Sequence, residues 1–259
     1  MLLAKVTFIP AKRTNFDEVE RLAVEYLVAL LRNGQICGEY FLARTKAGLV
    51  AFCHLARPDS VKPKFNSKYA AARYSELLKQ LKGQPVWELL ETSPQQRFSS
   101  WKTAPFLYCF THAYDDESCI CDGRNGDPVP VYLLPLSDSD REDLYCWSGD
   151  YADHDRIWLG PGELEMPAYH QMVNPTSALS RKGRELCARV EAATGIPTYY
   201  YVMKYYGRRR TEERRLCPVC KGAWLRQEPV SNGDEPFQHF HFRCDKCRLV
   251  SHFAADSYR

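Results

Sequence analysis

Cys217-Pro218-Val219-Cys220 and Cys244-Asp245-Lys246-Cys247 are two Cys-x-x-Cys pairs separated by residues 221–243. A two-residue gap lets both thiolates of a pair bind one small cation while the backbone between them folds into a tight knuckle. Four thiolates complete the tetrahedron that Zn2+ accepts without geometric penalty. The intervening residues have the pattern of a β-hairpin. Trp224 and Leu225 sit on its outgoing side, Phe237, Phe240 and Phe242 on its return, and Ser231-Asn232-Gly233-Asp234 supplies a turn with Asn-Gly chemistry. The expectation is a zinc ribbon holding one Zn2+ on Cys217, Cys220, Cys244 and Cys247. That ion is expected to be structural, because four protein ligands leave no open position for water or substrate. Four reduced structural or redox thiols are the competing reading.

A second constellation leads into the first knuckle. Arg208, Arg209, Arg210, Arg214 and Arg215 crowd the approach, and Lys221, Arg226, Arg243, Lys246 and Arg248 continue the basic character onto the ribbon. From Pro197 to Arg259 there are 12 Lys and Arg against 7 Asp and Glu, whereas the rest of the chain has 23 against 25. Phosphates are neutralised by such point charges, and Tyr199 to Tyr206 with Trp224 would supply stacking faces for unpaired bases. Nucleic-acid contact is expected through Arg208, Arg209, Arg210, Arg214, Arg215, Lys221 and Arg248. The plainer alternative is a solvated linker with Glu212 and Glu213 as local partners.

Other candidates are weaker. Cys119-Ile120-Cys121 matches a knuckle poorly. With Cys109, Cys146, His112 and His154 as the remaining donors, structural thiols are expected and a second metal site is the alternative. Asp150, Asp153, His154, Asp155, Glu163 and Glu165 contain the ingredients of a Mg2+-dependent phosphodiesterase, carboxylates plus a histidine base. Their spacing is not diagnostic, and a solvated acidic loop is expected. The chain has no Walker loop, Gly-x-Gly-x-x-Gly, Gly-x-Ser-x-Gly or His-Glu-x-x-His sequence. A protein that is not an enzyme is therefore expected.

The elements that must position these residues follow from periodicity. Residues 4–9 alternate as a strand ending at Pro10. A helix capped by Thr14 or Asn15 follows, with Phe16, Val19, Leu22, Ala23, Tyr26, Leu27 and Leu30 as one apolar stripe, stopped at Asn33-Gly34. Ile36–Ala43 and Leu49–Ala56 read as strands. A second helix from near Asn66 turns Tyr69, Ala70, Tyr74, Leu77, Leu78 and Leu81 inward and ends at Gly83. A last strand runs from Pro105 to His112, leaving Trp87–Leu90 as an extra segment. Strand, helix, strand, strand, helix, strand is the ferredoxin-like βαββαβ order. RNA-recognition modules share it, but they present basic and aromatic residues in one strand motif. Phe8, Tyr40, Phe41 and Phe52 lack that motif and are expected in the core.

Beyond Asp115-Asp116-Glu117, Val131–Leu134 reads as a short strand, Asp140–Trp147 as a short helix and Ser148–Pro167 as loop. A clearer helix buries Leu179, Gly183, Leu186, Cys187 and Val190 and ends at Gly195 and Pro197. Thr198–Tyr206 is strongly β-prone.

At 259 residues, 45% hydrophobic and 26% charged, the chain has the composition of a soluble globular protein. No apolar run approaches ~20 residues, so no membrane contact is expected. Met1–Phe8 has no charged region ahead of an apolar core, so no signal peptide is expected. Eleven cysteines, four of them in a metal pattern, place the protein in a reducing compartment, the cytoplasm.

Pro128–Pro135, Leu179–Cys187, Thr194–Tyr201, Arg215–Cys220 and Cys244–Arg248 together resemble a family of uncharacterised bacterial proteins described as zinc-ribbon-containing and as candidate nucleic-acid binders. The resemblance covers the C-terminal half well and the N-terminal half loosely. It implies a bacterial origin and a zinc ribbon, and a Cys-x-x-Cys near mid-chain where this sequence has Cys119-Ile120-Cys121. The combined expectation is an α+β protein: residues 1–114 a ferredoxin-like sandwich, 115–206 a mixed α/β middle segment, and 207–259 the zinc ribbon. Its expected role is a nucleic-acid-binding protein. The alternative is a protein-interaction module, such as an immunity or inhibitor protein for a toxin that acts on nucleic acid.

Overall fold

The computed structural model describes residues 2–90, 98–114, 117–207, 209–231 and 239–254. The chain forms two compact units. One comprises Met1–Phe98, Asp116–Ser118 and Pro130–Tyr145, the other Ser99–Asp115, Cys119–Val129 and Cys146–Arg259.

The first unit is a four-stranded antiparallel sheet with two helices on one face. Its elements are β1 (Leu2–Phe8), α1 (Phe16–Arg32), β2 (Ile36–Thr45), β3 (Gly48–Leu55), α2 (Lys68–Leu78) and β4 (Val86–Leu89). The strand order β2-β3-β1-β4, with every neighbouring pair antiparallel, is that of a ferredoxin-like fold. Asn15 caps α1, its side chain accepting from the Asp17 amide at 3.0 Å, and Asp17 and Glu18 favour the positive end of the helix dipole. The stripe Val19, Leu22, Ala23, Tyr26, Leu27 and Leu30 is buried against Ala4, Val6, Phe8, Leu49, Ala51 and Leu55. Gly48 adopts φ 142°, and a Cβ there would lie 2.2 Å from the Phe8 carbonyl oxygen. A side chain would therefore push the β2–β3 turn off β1.

Three expectations for this unit are corrected. The fourth strand is Val86–Leu89, the segment read as extra, whereas Leu107–Cys109 belongs to the other sheet. Four residues carry little periodicity, and only pairing with β1 identifies them. Helix α2 starts at Lys68 under the Ser67 cap and leaves Tyr69 exposed. Phe8 is buried and Tyr40 packs on the core, but Phe41 and Phe52 lie exposed on the outward face. A bulge between Cys37 and Phe41, with Gly38 at φ 63°, sets the phase that turns Phe41 outward.

The second unit is built on a six-stranded sheet of order β6-β5-β7-β10-β9-β8. Its strands are β5 (Leu107–Cys109), β6 (Ile120–Asp122), β7 (Thr198–Tyr201), β8 (Leu225–Ser231), β9 (His239–Cys244) and β10 (Leu249–Ser251). β7 lies parallel to both β5 and β10, which joins the middle segment and the ribbon in one sheet. Helix α5 (Ala178–Thr194) packs Gly183 so closely that a Cβ would fall 2.4 Å from the Tyr200 ring and 2.9 Å from Trp147. Two more corrections concern the middle of the chain. Val131–Leu133 is a single 3-10 turn, not a strand. The loop expected from Ser148 is helical, since α3 runs Asp138–Leu159 and α4 Glu165–Val173. The acidic composition of α3 hides its one buried edge, Trp147 and Tyr151, which gains its burial by packing on Tyr200 and other rings of this unit.

Candidate metal centre

The four ribbon cysteines converge. The thiols of Cys217, Cys220, Cys244 and Cys247 all lie within 4.8 Å of one another, and Cys220 and Cys244 approach to 3.6 Å. β9 ends at Cys244, and β10 starts two residues after Cys247. The first knuckle closes with the Lys221 amide donating to the Cys217 carbonyl and the Cys217 amide to the Gly222 carbonyl, both at 2.9 Å.

The two knuckles are built alike. Each is followed by a residue in the left-handed region, Lys221 at φ 58° and Arg248 at φ 52°. Each of these side chains reaches back three residues to a knuckle carbonyl: Lys221 Nζ to Pro218 O at 3.0 Å, and Arg248 Nη1 to Asp245 O at 3.1 Å. Glycine would take this conformation without strain. Here the long cationic side chains hydrogen-bond across the turn. The Gly222 amide pulls the Cys220 thiol down to about 7, whereas burial pushes Cys244 up to about 12. The tetrad can hold a metal ion. Among the described residues it is the one group of three or more His, Cys, Asp or Glu side chains close enough to do so.

The second knuckle is anchored to the middle segment. The Tyr199 hydroxyl donates to Asp245 at 2.6 Å, and Arg243 Nε reaches the same carboxylate at 2.6 Å. Arg248 forms a two-pronged ion pair with Glu191 of α5 at 2.7 and 2.9 Å, and Glu191 also accepts the Thr198 amide at 3.0 Å. Sequence reasoning missed Glu191 and Asp245 and read Tyr199 as a stacking face; their anchoring roles depend on partners 46 to 57 residues away.

The expected nucleic-acid residues fall into different environments. Arg214 and Lys221 are exposed. Arg209 and Arg210 lie in the short helix α6 (Arg209–Glu212), and Arg208 is outside the described residues. Arg248 is engaged with Glu191. Arg215 is packed inside the ribbon, its guanidinium 4.2 Å from the Phe242 ring centre and 5.2 Å from that of Trp224. It donates to His252 O at 2.6 Å and Ser251 Oγ at 3.2 Å, and pairs with the buried Glu212 at 3.4 Å. Tyr199, Tyr200, Tyr201 and Trp224 are buried, so the expected stacking faces are core, leaving Tyr205 and Tyr206 nearer solvent. The aromatic run alternates, with Tyr200 against Gly183 of α5 and Trp147 of α3 on one side and Tyr199 and Tyr201 against Phe106, Tyr108 and Phe240 on the other, which takes up both of its faces. Of the hairpin residues, Asn232, Gly233, Asp234 and Phe237 lie outside the described residues, while Phe240 and Phe242 are buried.

Cys119 shares a hydrogen bond with the buried thiol of Cys109, which also bonds Cys187. Cys121 packs with Tyr108 and Tyr201 instead. Asp153 pairs with Arg156 at 2.6 Å, and His154 Nδ1 lies 2.7 Å from the Asp150 carbonyl in its own helix. Asp155 is buried and accepts the Ala113 amide at 2.7 Å. Asp153, His154 and Asp155 thus sit on one helical stretch with separate structural partners.

Three families match the chain, each described as a domain of unknown function: residues 1–91 (DUF8589), 102–203 (DUF2310) and 207–257 (DUF8594). Two uncharacterised proteins of Haemophilus influenzae are each 34% identical over 142 residues, 53% of this chain. The chain spans about half the length of the first of these relatives, 52%, and 67% of the second. Among solved structures, an antibiotic biosynthesis monooxygenase aligns at 13% identity over 36% of this chain and 100% of its own, with a TM-score of 0.30. Rv0793 from Mycobacterium tuberculosis aligns at 15% over 37% of this chain and 98% of its own, with a TM-score of 0.27. At these TM-scores the two likenesses carry no argument.

Proposed function

For this chain, which belongs to the same family as the uncharacterised Haemophilus influenzae protein of which it covers 67%, we propose a zinc-ribbon binding protein that contacts nucleic acid through its C-terminal unit. The observation that carries the reading is the closed thiol tetrad with exposed cations around it. A tetrahedral Zn2+ with Zn–S distances of about 2.3 Å has sulfurs about 3.8 Å apart, and the 3.6 Å between Cys220 and Cys244 suits that edge. Cys217, Cys220, Cys244 and Cys247 hold the ion; when bound, it ties the two knuckles together. Four protein ligands leave no position for a reacting water, so the centre is structural and no reaction takes place on the metal.

Arg214, Lys221 and Lys246 are exposed beside the knuckles and supply the phosphate contacts, with the arginine-rich approach from Arg208 to Arg210 before them. Arg215 and Arg248 hold the ribbon together rather than meeting the ligand. All eleven cysteines are free thiols, which suits a cytoplasmic protein. No helix of the described residues is long and apolar enough to cross a membrane.

A second reading is favoured by one observation. Leu216, Val219 and Leu225 are 52%, 37% and 44% exposed around the first knuckle, an apolar group that a protein partner would cover, such as a toxin or a complex subunit. One preparation separates the two. The protein is purified without nuclease, and its zinc content and co-purifying species are recorded. One zinc per chain with nucleic acid that salt releases supports the proposal. One zinc with a stoichiometric protein partner and clean absorbance replaces it with the second reading.

A further inference from the structure

The outward face of the four-stranded sheet has features that the ribbon does not use. Cross-strand register places Phe41 opposite Phe52, Phe52 opposite Lys5, and Lys5 opposite Glu88, one row across all four strands. Cross-strand partners share a face. The other face carries Ala4, Val6 and Phe8 into the helices, so this row points outward. Phe41 is 69% exposed and Phe52 38%. Lys5 is engaged by Glu88 at 2.9 Å.

Three connections converge at one end of this sheet. The Ala11 amide donates to the Gln80 carbonyl at 2.9 Å, the Lys82 amide donates to the Ile9 carbonyl at 2.8 Å, and the β2–β3 turn abuts Phe8 and Pro10 through Gly48. Lys12 and Arg13 lie in the first connection, Lys46 in the turn, and Lys79 and Lys82 in the third. All five are exposed, and among the described residues none of the five side chains makes an ion pair or hydrogen bond. Of the acids around this edge, Asp17 and Glu20 meet Arg44, Glu18 meets Arg21, and Glu76 meets Arg73, while Glu39 is exposed on β2 two residues before Phe41. The edge therefore presents five uncompensated cations at the end of the strands that carry the two exposed rings, Phe41 four residues before the end of β2 and Phe52 four residues after the start of β3. A second copy of the chain would bring five more cations, and its acid in the row, Glu88, is already spent on Lys5. A polyanion with exposed bases supplies both the countercharge and the stacking partners.

We propose that this face and edge form a second binding site, for single-stranded nucleic acid, separate from the ribbon. Lys12, Arg13, Lys46, Lys79 and Lys82 take backbone phosphates, and Phe41 and Phe52 stack unpaired bases. A duplex keeps its base faces internal and gains only the phosphate part.

The test uses the full chain loaded with zinc and fluorescein-labelled 20-nucleotide RNA, single-stranded or as a duplex, with anisotropy read at several salt concentrations. Three variants are compared after circular dichroism confirms folding: Phe41→Ala with Phe52→Ala; Lys12, Arg13, Lys46, Lys79 and Lys82 all changed to Gln; and, on the ribbon, Arg214, Lys221 and Lys246 changed to Gln. The double Phe variant is expected to weaken single-strand binding by roughly fivefold or more per ring and to leave duplex binding unchanged. The five-Gln variant is expected to flatten the slope of log K against log salt for single strands by up to about 3.5. Single-strand binding that is unchanged by the double Phe substitution overturns the proposal. So does sedimentation showing a dimer that the double Phe variant splits while RNA binding stays intact, because the face then belongs to a second copy. Failure of the ribbon reading is seen separately, as binding unaffected by the three-site ribbon variant.

Discussion

Replacing Arg215 with alanine tests whether this arginine is part of the ribbon interior or of its ligand surface. Its guanidinium donates to His252 O at 2.6 Å and Ser251 Oγ at 3.2 Å, lies over Phe242 and Trp224, and faces Glu212 at 3.4 Å. Burial lowers its pKa from the ordinary arginine value, with Glu212 opposing the shift. Glu212 is itself buried, and its carboxylate accepts the Ala254 amide at 3.2 Å. Truncating Arg215 strands that carboxylate and uncovers the faces of the two rings, which pack on each other at 5.2 Å. Breaking a buried pair from one side costs about 3–5 kcal/mol. The cation–π contacts, worth up to about 2 kcal/mol, overlap with that figure rather than adding to it. The expected loss for Arg215→Ala is therefore about 3–5 kcal/mol. Arg215→Met combined with Glu212→Gln keeps the two rings covered and removes the stranded charge, and is expected to recover most of the loss. Urea denaturation followed by tryptophan fluorescence, at a fixed free zinc concentration so that metal linkage stays constant, reads both values. A loss under about 1 kcal/mol for Arg215→Ala would refute the reasoning. So would unchanged stability accompanied by a tenfold drop in nucleic-acid affinity, which would return Arg215 to the ligand surface.

Cys217→Ser is expected to take the zinc-to-protein ratio from one towards zero and to lower the melting temperature of the second unit, as a chelator does with the unaltered chain; elemental analysis and thermal melts check both. Gly183→Ala drives a methyl into Tyr200 and Trp147 and is expected to cost about 1–3 kcal/mol in the same urea assay, a value near zero showing that α5 moves away freely. Asp155 has its carboxyl pushed above the usual range by burial, against the Ala113 amide. A raised folded-state value means that its charge opposes folding above that value and that the cost disappears as pH falls through it. Asp155→Asn is therefore expected to raise the urea midpoint at pH 7, with the gap closing as pH falls towards the carboxylate range. A gap that widens on acidification contradicts the sign.

How much of this was legible in the sequence depended on the range of the interactions involved. The Cys-x-x-Cys pairs are local: two residues of spacing fix a knuckle, so the tetrad was readable before any fold was known, and the structure brings its thiols within 4.8 Å. Helix α1 was equally readable, because an N-cap, an apolar stripe and an Asn-Gly stop lie within one run of chain. The fourth strand was not. Val86–Leu89 becomes a strand by pairing with β1, whereas Leu107–Cys109, the stronger β pattern, is taken by β7. The loop expected after Ser148 became helical because Trp147 and Tyr151 found rings to pack on, a gain the composition of α3 does not reveal.

The same distinction separates the charges and rings of the site. The sequence by itself determined that the C-terminal region is basic, rich in tyrosine and able to gather four thiolates, since those properties belong to residue types and short spacings. Tertiary structure alone decided which of those groups face solvent. It buried Tyr199 to Tyr201 in the sheet, laid Arg215 over two rings, paired Arg248 with Glu191, and left Phe41 and Phe52 outside. Burial and pairing are set by partners tens of residues away, and a cation or an aromatic ring has the same local sequence signature whether a core or a ligand will satisfy it.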